Sequence, residues 1–193
     1  MMIFEAICFA LSGFFMKISD EASDEKNNML ISIISGLLCV LFTVLVSTKN
    51  ADATCIFLSI LIGTALAFKV DSLNHILSAI LLVILLLLLG VPSFSWICLL
   101  ICIIAVFVDE KGNDYYDKKE EEGLTLNFLD KLFKYRYTLK ITVLILSIFG
   151  LLNYLIPNLN LFSFEPITII YFYMFDLSYE FAEVSFNRIY DIF

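Results

Sequence analysis

Charge is scarce in this sequence. Only 17% of its 193 residues are Asp, Glu, Lys or Arg, and 61% are hydrophobic. A soluble domain carries about 25% and about 45–50%. With a mean hydropathy of +0.93, an ordinary water-soluble domain is excluded. Histidine is nearly absent: His75 is alone, so a transition-metal site would lack its usual imidazoles. The five cysteines, Cys8, Cys39, Cys55, Cys98 and Cys102, all lie inside apolar runs. A disulfide framework would place them in wet loops, so they read as buried reduced thiols. Cys98 and Cys102, four apart, could form half of a soft-metal site, but no His or further Cys accompanies them, and they read as packing residues. There is no Walker motif, nucleophile elbow, HExxH or Cys-rich metal spacing. A net charge of −8 argues against nucleic acid as a partner.

What the chain has instead is bilayer-length oil. A hydrocarbon core of about 30 Å needs roughly 20 residues of helix, and helices satisfy their own backbone in lipid. The predicted fold is all-α: a polytopic transmembrane bundle of about seven helices, one integral membrane domain over residues 1–193 of a multi-pass cell-membrane protein. The spans are Met2–Ile18, Met29–Ser47, Ala53–Val70, His75–Gly90, Pro92–Val108, Thr138–Ile156 and Pro166–Glu183. Pro92 suits a first helical turn, and Pro157 with Asn158 stops the sixth span. The N-terminal run has no basic region before it and no small-residue cleavage site, so it reads as a retained helix. Residues 109–137 form a polar loop, within which 125–136 reads either as a short amphipathic helix on the membrane surface, with Leu129, Leu132, Phe133 and Arg136 as its stripe, or as the wet start of the sixth helix.

Basic residues set the orientation. All except Lys49 fall on one set of alternate loops, which the positive-inside rule assigns to the cytoplasm. The N-terminus is then outside and the C-terminus inside. The acids divide the same way, with only Glu5, Asp52 and Glu165 on the outer half. Four descending helices end in an aromatic followed by acid, as in "FKVDS" and "FVDEK".

The densest charge is "FVDEKGNDYYDKKEEEG", Phe107 to Gly123. Gly112-Asn113 suits a turn. A helix starting near Asn113 places Asp114, Asp117 and Glu121 on one face. Three carboxylates on a face suit a hard cation such as Mg²⁺, which also takes phosphate oxygens and water; the other reading of the stretch is a wet, solubilising loop between membrane helices. Asn113, Asp114 and Asp117 resemble the NDxxDxxxD motif of UbiA-type membrane prenyltransferases, with Glu121 in the place of the final Asp. That resemblance covers about ten residues and implies Mg²⁺ bridging carboxylates to a prenyl diphosphate. A second Asp-rich motif has its nearest counterparts in Asp20–Asp24, which comes too early, and Asp176–Glu180, which has Glu in second place. The whole chain resembles small archaeal polytopic membrane proteins, a likeness that implies no activity.

Other clusters carry two readings each. Asp20 and Asp24 are four apart, as are Glu21 and Glu25; they could bind a cation or form a solvated turn with Ser19 or Ser23 as a helix cap. His75 follows Asp71 by four residues, so that carboxylate could orient its imidazole as a base or phosphate donor, or it is a lone histidine at the membrane interface. Lys69, Arg136 and Lys140 could grip phosphate or anchor to lipid head groups. Asp176 and Glu180 interrupt an apolar run, and a carboxylate there is either a functional group or a helix stitch. Three functions follow. One is a Mg²⁺-dependent enzyme acting on a polyprenyl or lipid phosphate at the cytoplasmic face, with His75, Asp176 and Glu180 as catalytic groups. Another is a small transporter using Asp176 and Glu5. The third is a non-catalytic scaffold or complex subunit.

Overall fold

The computed structural model describes residues 2–70, 72–156 and 158–190. Among these residues the structure is all-α, with no strand. Its helices are α1 (Met2–Asp24), α2 (Met29–Ser47), α3 (Ala51–Leu66), α4 (Leu73–Leu89), α5 (Trp96–Glu121), α6 (Phe128–Lys134), α7 (Tyr137–Leu155) and α8 (Thr168–Tyr190). Three described helices, α1, α2 and α7, are long and apolar enough to cross a membrane; α3 and α4 are shorter apolar helices. The helices fall into two compact units.

The first unit holds α1, α2, α4 and most of α8. Along α2 the buried side chains are small: Ser32, Ser35, Gly36, Cys39, Val40 and Thr43 recur at helical spacing. The large ones, Leu30, Ile34, Leu37 and Leu41, face outward. Water would drive the opposite arrangement, whereas helices in lipid bury small residues and expose aliphatic ones. Ile18 and Ala22 of α1 pack with Ala182 and Phe186 of α8. The side-chain contacts also fix helix direction. Ser19 near the end of α1 meets Ser32 near the start of α2 through reciprocal hydroxyl-to-carbonyl bonds of 2.9 and 2.8 Å. Asn74, at the start of α4, donates to Ser19 Oγ at 3.1 Å. At the opposite end of α1, Glu5 accepts from Tyr171 of α8 at 3.0 Å and from Asn50, beyond α2, at 3.3 Å. Hence α1 and α8 run one way, and α2 and α4 the other. Ser19 is therefore an interior residue of α1, bonding across to α2, and caps no helix.

The second unit holds most of α3 with α5, α6 and α7. Cys55 near the start of α3 lies against Ser95, which caps α5, and the far end of α3 lies against α5 at Lys111. These two helices are parallel. Helix α7 returns antiparallel to α5, its first turn held at Asp109. Beyond α7 the chain folds back so closely that the Phe164 carbonyl would sit 1.9 Å from a Cβ at Gly150.

Two local expectations change. Pro92 opens no helix: residues 90–95 are non-helical, Gly90 takes φ +77°, and Ser95 accepts from the Cys98 N–H to start α5 four residues later. No turn forms at Gly112-Asn113, because α5 runs unbroken to Glu121. The missing Cβ at Gly112 serves packing, since a methyl there would lie 2.3 Å from the Phe133 ring. The sixth span, read as Thr138–Ile156, runs from Tyr137 to Leu155, while Pro157 lies outside the described residues. All five cysteines are buried thiols outside any disulfide.

Candidate functional site

The described site residues collect at one end of each unit. In the second unit they lie where α3 ends, α5 passes and α7 begins. Helix α3 stops at Leu66, with Phe68 left-handed at φ +64°. Its end carbonyls need donors, and Lys111 Nζ supplies one to Ala67 at 2.9 Å. The same turn presents Lys69, which forms an ion pair with Asp114 Oδ1, while Lys111 approaches Oδ2 at 3.5 Å. The Asp114 carboxylate thus sits between two ammonium groups, and Lys69 above all holds it below its ordinary value.

One turn back along α5, Glu110 meets Arg136 Nη2 at 3.3 Å, and the same nitrogen reaches Asn113 Oδ1 at 3.4 Å. Arg136 takes a left-handed φ of +50° at the N-cap of α7, where its own side chain caps nothing. Asp109 does that from α5: its carboxylate accepts from the Thr138 and Leu139 N–H groups at 2.8 and 2.7 Å. Burial pushes the carboxyls of Asp109 and Glu110 up, against the donors and Arg136, which pull them down. Asp117 and Glu121 project into the open further along α5, and Lys140 lies 5.0 Å from the Tyr137 ring centre.

Helix α6 runs beside the outer part of α5, in the opposite direction. Lys119 bonds Asp130 at 2.8 Å, Tyr116 accepts from Lys134 at 3.0 Å, and Gly112 faces Phe133. Asn127 and Asp130 form a reciprocal capping box, so the helix begins where local chemistry sets it. Its packed face is Asp130 and Phe133; Leu129, expected on the stripe, is exposed. The Asn127 N–H, followed by Lys119, draws the Asp130 carboxyl down.

In the first unit α1 continues to Asp24, so Asp20 and Asp24 do share a helix, but Asp20 turns to other partners. His75 Nε2 lies 2.8 Å from Asp20 Oδ1, and the Tyr179 hydroxyl donates to Oδ2 at 3.5 Å. Lys17 bridges Glu21 at 2.7 Å and Glu183 at 3.5 Å, and its ammonium sits 5.2 Å from the Tyr179 ring centre. Asp24 is exposed. Asp176 is half-buried on α8, with Glu180 exposed one turn on. Asp71, the expected partner of His75, lies outside the described residues.

Asp20 and Asp24 thus belong to one unit, and Asp114, Asp117 and Glu121 to the other. Among the described residues, no three His, Cys, Asp or Glu side chains gather closely enough to hold a metal ion. Asp109, Glu110 and Lys111 were noted only within the helix end "FVDEK", and neither they nor Tyr179 were assigned a site role from sequence. An acid immediately behind an apolar run was the available signal for Asp109. Nothing local marks Tyr179. No family model, curated protein or solved structure matches the chain.

Proposed function

We propose that this chain is a multi-pass membrane protein of about seven spans, acting as a non-catalytic scaffold or complex subunit. Its charged helix ends serve one another. The observation carrying this reading is the Lys69–Asp114 pair: a cation suited to grip phosphate sits on an acid suited to hold metal. Arg136 on Glu110 and His75 on Asp20 repeat the pattern. Charges paired across helices fix register at the membrane surface, where the partly aqueous setting makes each pair modest in energy. The exposed Leu and Ile of α2, α4 and α7 face acyl chains. The Lys-rich ends face the cytoplasm, with the N-terminus outside.

A second reading has its own support. Asp114, Asp117 and Glu121 do lie at i, i+3 and i+7 of one helix, the arrangement that favours a Mg²⁺-dependent enzyme acting on a polyprenyl or lipid phosphate. There an ion would have to displace Lys69 and Lys111 from Asp114. Thermal unfolding of the full chain in nanodiscs, with millimolar Mg²⁺ and farnesyl diphosphate, separates the two. The scaffold reading expects no stabilisation that Asp114→Ala and Asp117→Ala abolish. A Mg²⁺-dependent rise lost in both variants overturns it in favour of the enzyme.

A further inference from the structure

Two parallel helices of the second unit are short between their polar ends. Helix α3 has 16 residues, and the chain after Leu66 is non-helical. Beside it, α5 begins after the non-helical residues 90–95, and Lys111, level with Ala67, stands 16 residues beyond Ser95. Each stretch rises about 24 Å. Irregular backbone finds no partners in lipid, so hydrocarbon ends where these helices do. Their ends are fixed: Asn50 Oδ1 accepts from the Ala53 N–H at 2.9 Å, Ser95 caps α5, and Lys111 holds the Ala67 carbonyl. Charge marks the inner limit, where the Lys69, Lys111 and Asp114 side chains are 38%, 45% and 40% exposed. Trp96, exposed in the first turn of α5, suits the outer interface. A typical hydrocarbon core is about 30 Å thick, so α3 and α5 fall about 6 Å short of it. Helix α2 of the first unit, with 19 residues, rises about 28 Å and does not.

The chain beyond α7 gives an independent measure. The Phe164 N–H donates to the Leu146 carbonyl at 3.1 Å. Leu146 lies only about 12 Å along α7 from Thr138, which is held at Asp109. Residues 159–167 are non-helical, and Glu165 and Pro166 are exposed. Asn153 holds this returning segment, donating to the Leu161 carbonyl at 2.7 Å and accepting from its N–H at 2.9 Å. In a core of about 30 Å, Glu165 would stand near the middle. An exposed carboxylate on irregular backbone does not belong in hydrocarbon. We propose that the second unit thins the bilayer around itself: its surface takes lipids with short acyl chains, and water reaches Glu165 from the outer side beside the α7–α8 connection. The proposal rests on the membrane reading of the preceding subsection and names the class of lipid that reading leaves open. Thinning is a standard response of a bilayer to a span shorter than its core. Here Lys69 and Lys111 are held by Asp114 and Ala67, which restrains the alternative of reaching outward through thicker lipid.

The test holds the full chain in nanodiscs of phosphatidylcholines that differ only in acyl length, from dimyristoleoyl through dioleoyl to dierucoyl. The melting temperature should be highest in the shortest lipid and fall with each lengthening, by about 4 °C or more across the series. A maximum in dioleoyl or longer lipid, or no dependence on length, overturns the proposal. A second readout uses a charged, membrane-impermeant maleimide on Glu165→Cys and Leu144→Cys in dioleoyl nanodiscs. The natural chain, whose cysteines are buried, gives the background. Leu144 is exposed on α7 close to the level of Leu146, so lipid should shield it. Glu165→Cys should react about tenfold faster or more. If both variants react slowly, the proposal is overturned and the membrane reading stands. If both react fast, the membrane reading itself fails, and the proposal falls with it.

Discussion

His75 and Asp20, 55 residues apart in the chain, are joined by a 2.8 Å contact that ties the start of α4 to the last turns of α1. Tyr179 of α8 closes on the same carboxylate at 3.5 Å. Three helices of one unit thus meet on one acid.

That contact has a measurable energy. The His75 and Asp20 side chains are 30% and 26% exposed, so the coupling should be small, about 0.5–1 kcal/mol. A double-mutant cycle of His75→Ala and Asp20→Ala, read by reversible unfolding in detergent, should show the double variant losing less than the sum of the singles. Strict additivity would mean that the two groups do not interact.

Asp109 caps α7 from another helix. Asp109→Ala leaves the Thr138 and Leu139 N–H groups without that acceptor, at a cost of about 1–3 kcal/mol. Asp109→Asn keeps an acceptor oxygen and should lose less. Hydrogen exchange at Thr138 and Leu139 should quicken in Asp109→Ala ahead of global unfolding.

Acid should dissolve the Lys69–Asp114 pair. Lys69 lowers the Asp114 carboxyl from its ordinary 3.8, so the ionised form is the one the fold favours. Its stabilisation is present above that ordinary value and lost as pH falls through the lowered one. Asp109 and Glu110 are raised by burial, so protonating them relieves the fold and adds nothing to this loss. Melting curves of the natural chain and Asp114→Asn, taken from about pH 5 to about pH 3 or below, should therefore converge at the acid end. A constant gap would exclude the pair as its source.

Gly112 admits the Phe133 ring. Gly112→Val should cost about 1–3 kcal/mol by overpacking and loosen α6 from α5. Adding Phe133→Ala to it should recover part of the loss. If α6 protease sensitivity is unchanged in Gly112→Val, the close approach does not hold α6.

Helices were legible where their ends are set locally. Met29–Ser47 runs as read, because Asn28 accepts from the Ile31 N–H at 3.3 Å at one end and Thr48 Oγ1 bonds Val44 at the other. The length of α5 was not legible. Gly112-Asn113 carries a turn signal in isolation, and only the packing of Phe133, distant in sequence, gives the glycine another purpose. The site was legible in residue type and not in pairing. Asp114, Lys69 and Arg136 stood out as charges beside oil, yet nothing in the local sequence says that Lys69 reaches Asp114 or that Arg136 reaches Glu110. Those choices depend on α3, α5 and α7 arriving together. Asp20 shows the same limit: its neighbour Asp24 suggested a shared cation, and a distant His and Tyr claimed it.

The most direct measurement exchanges the charges of the central pair. Unfolding of Lys69→Asp, Asp114→Lys and the double exchange should be compared in nanodiscs. Each single change sets like charges together and should lower the melting temperature, and the double exchange should restore most of it. Singles as stable as the natural chain, or a double exchange no better than the worse single, would contradict the view that these charged groups exist for one another.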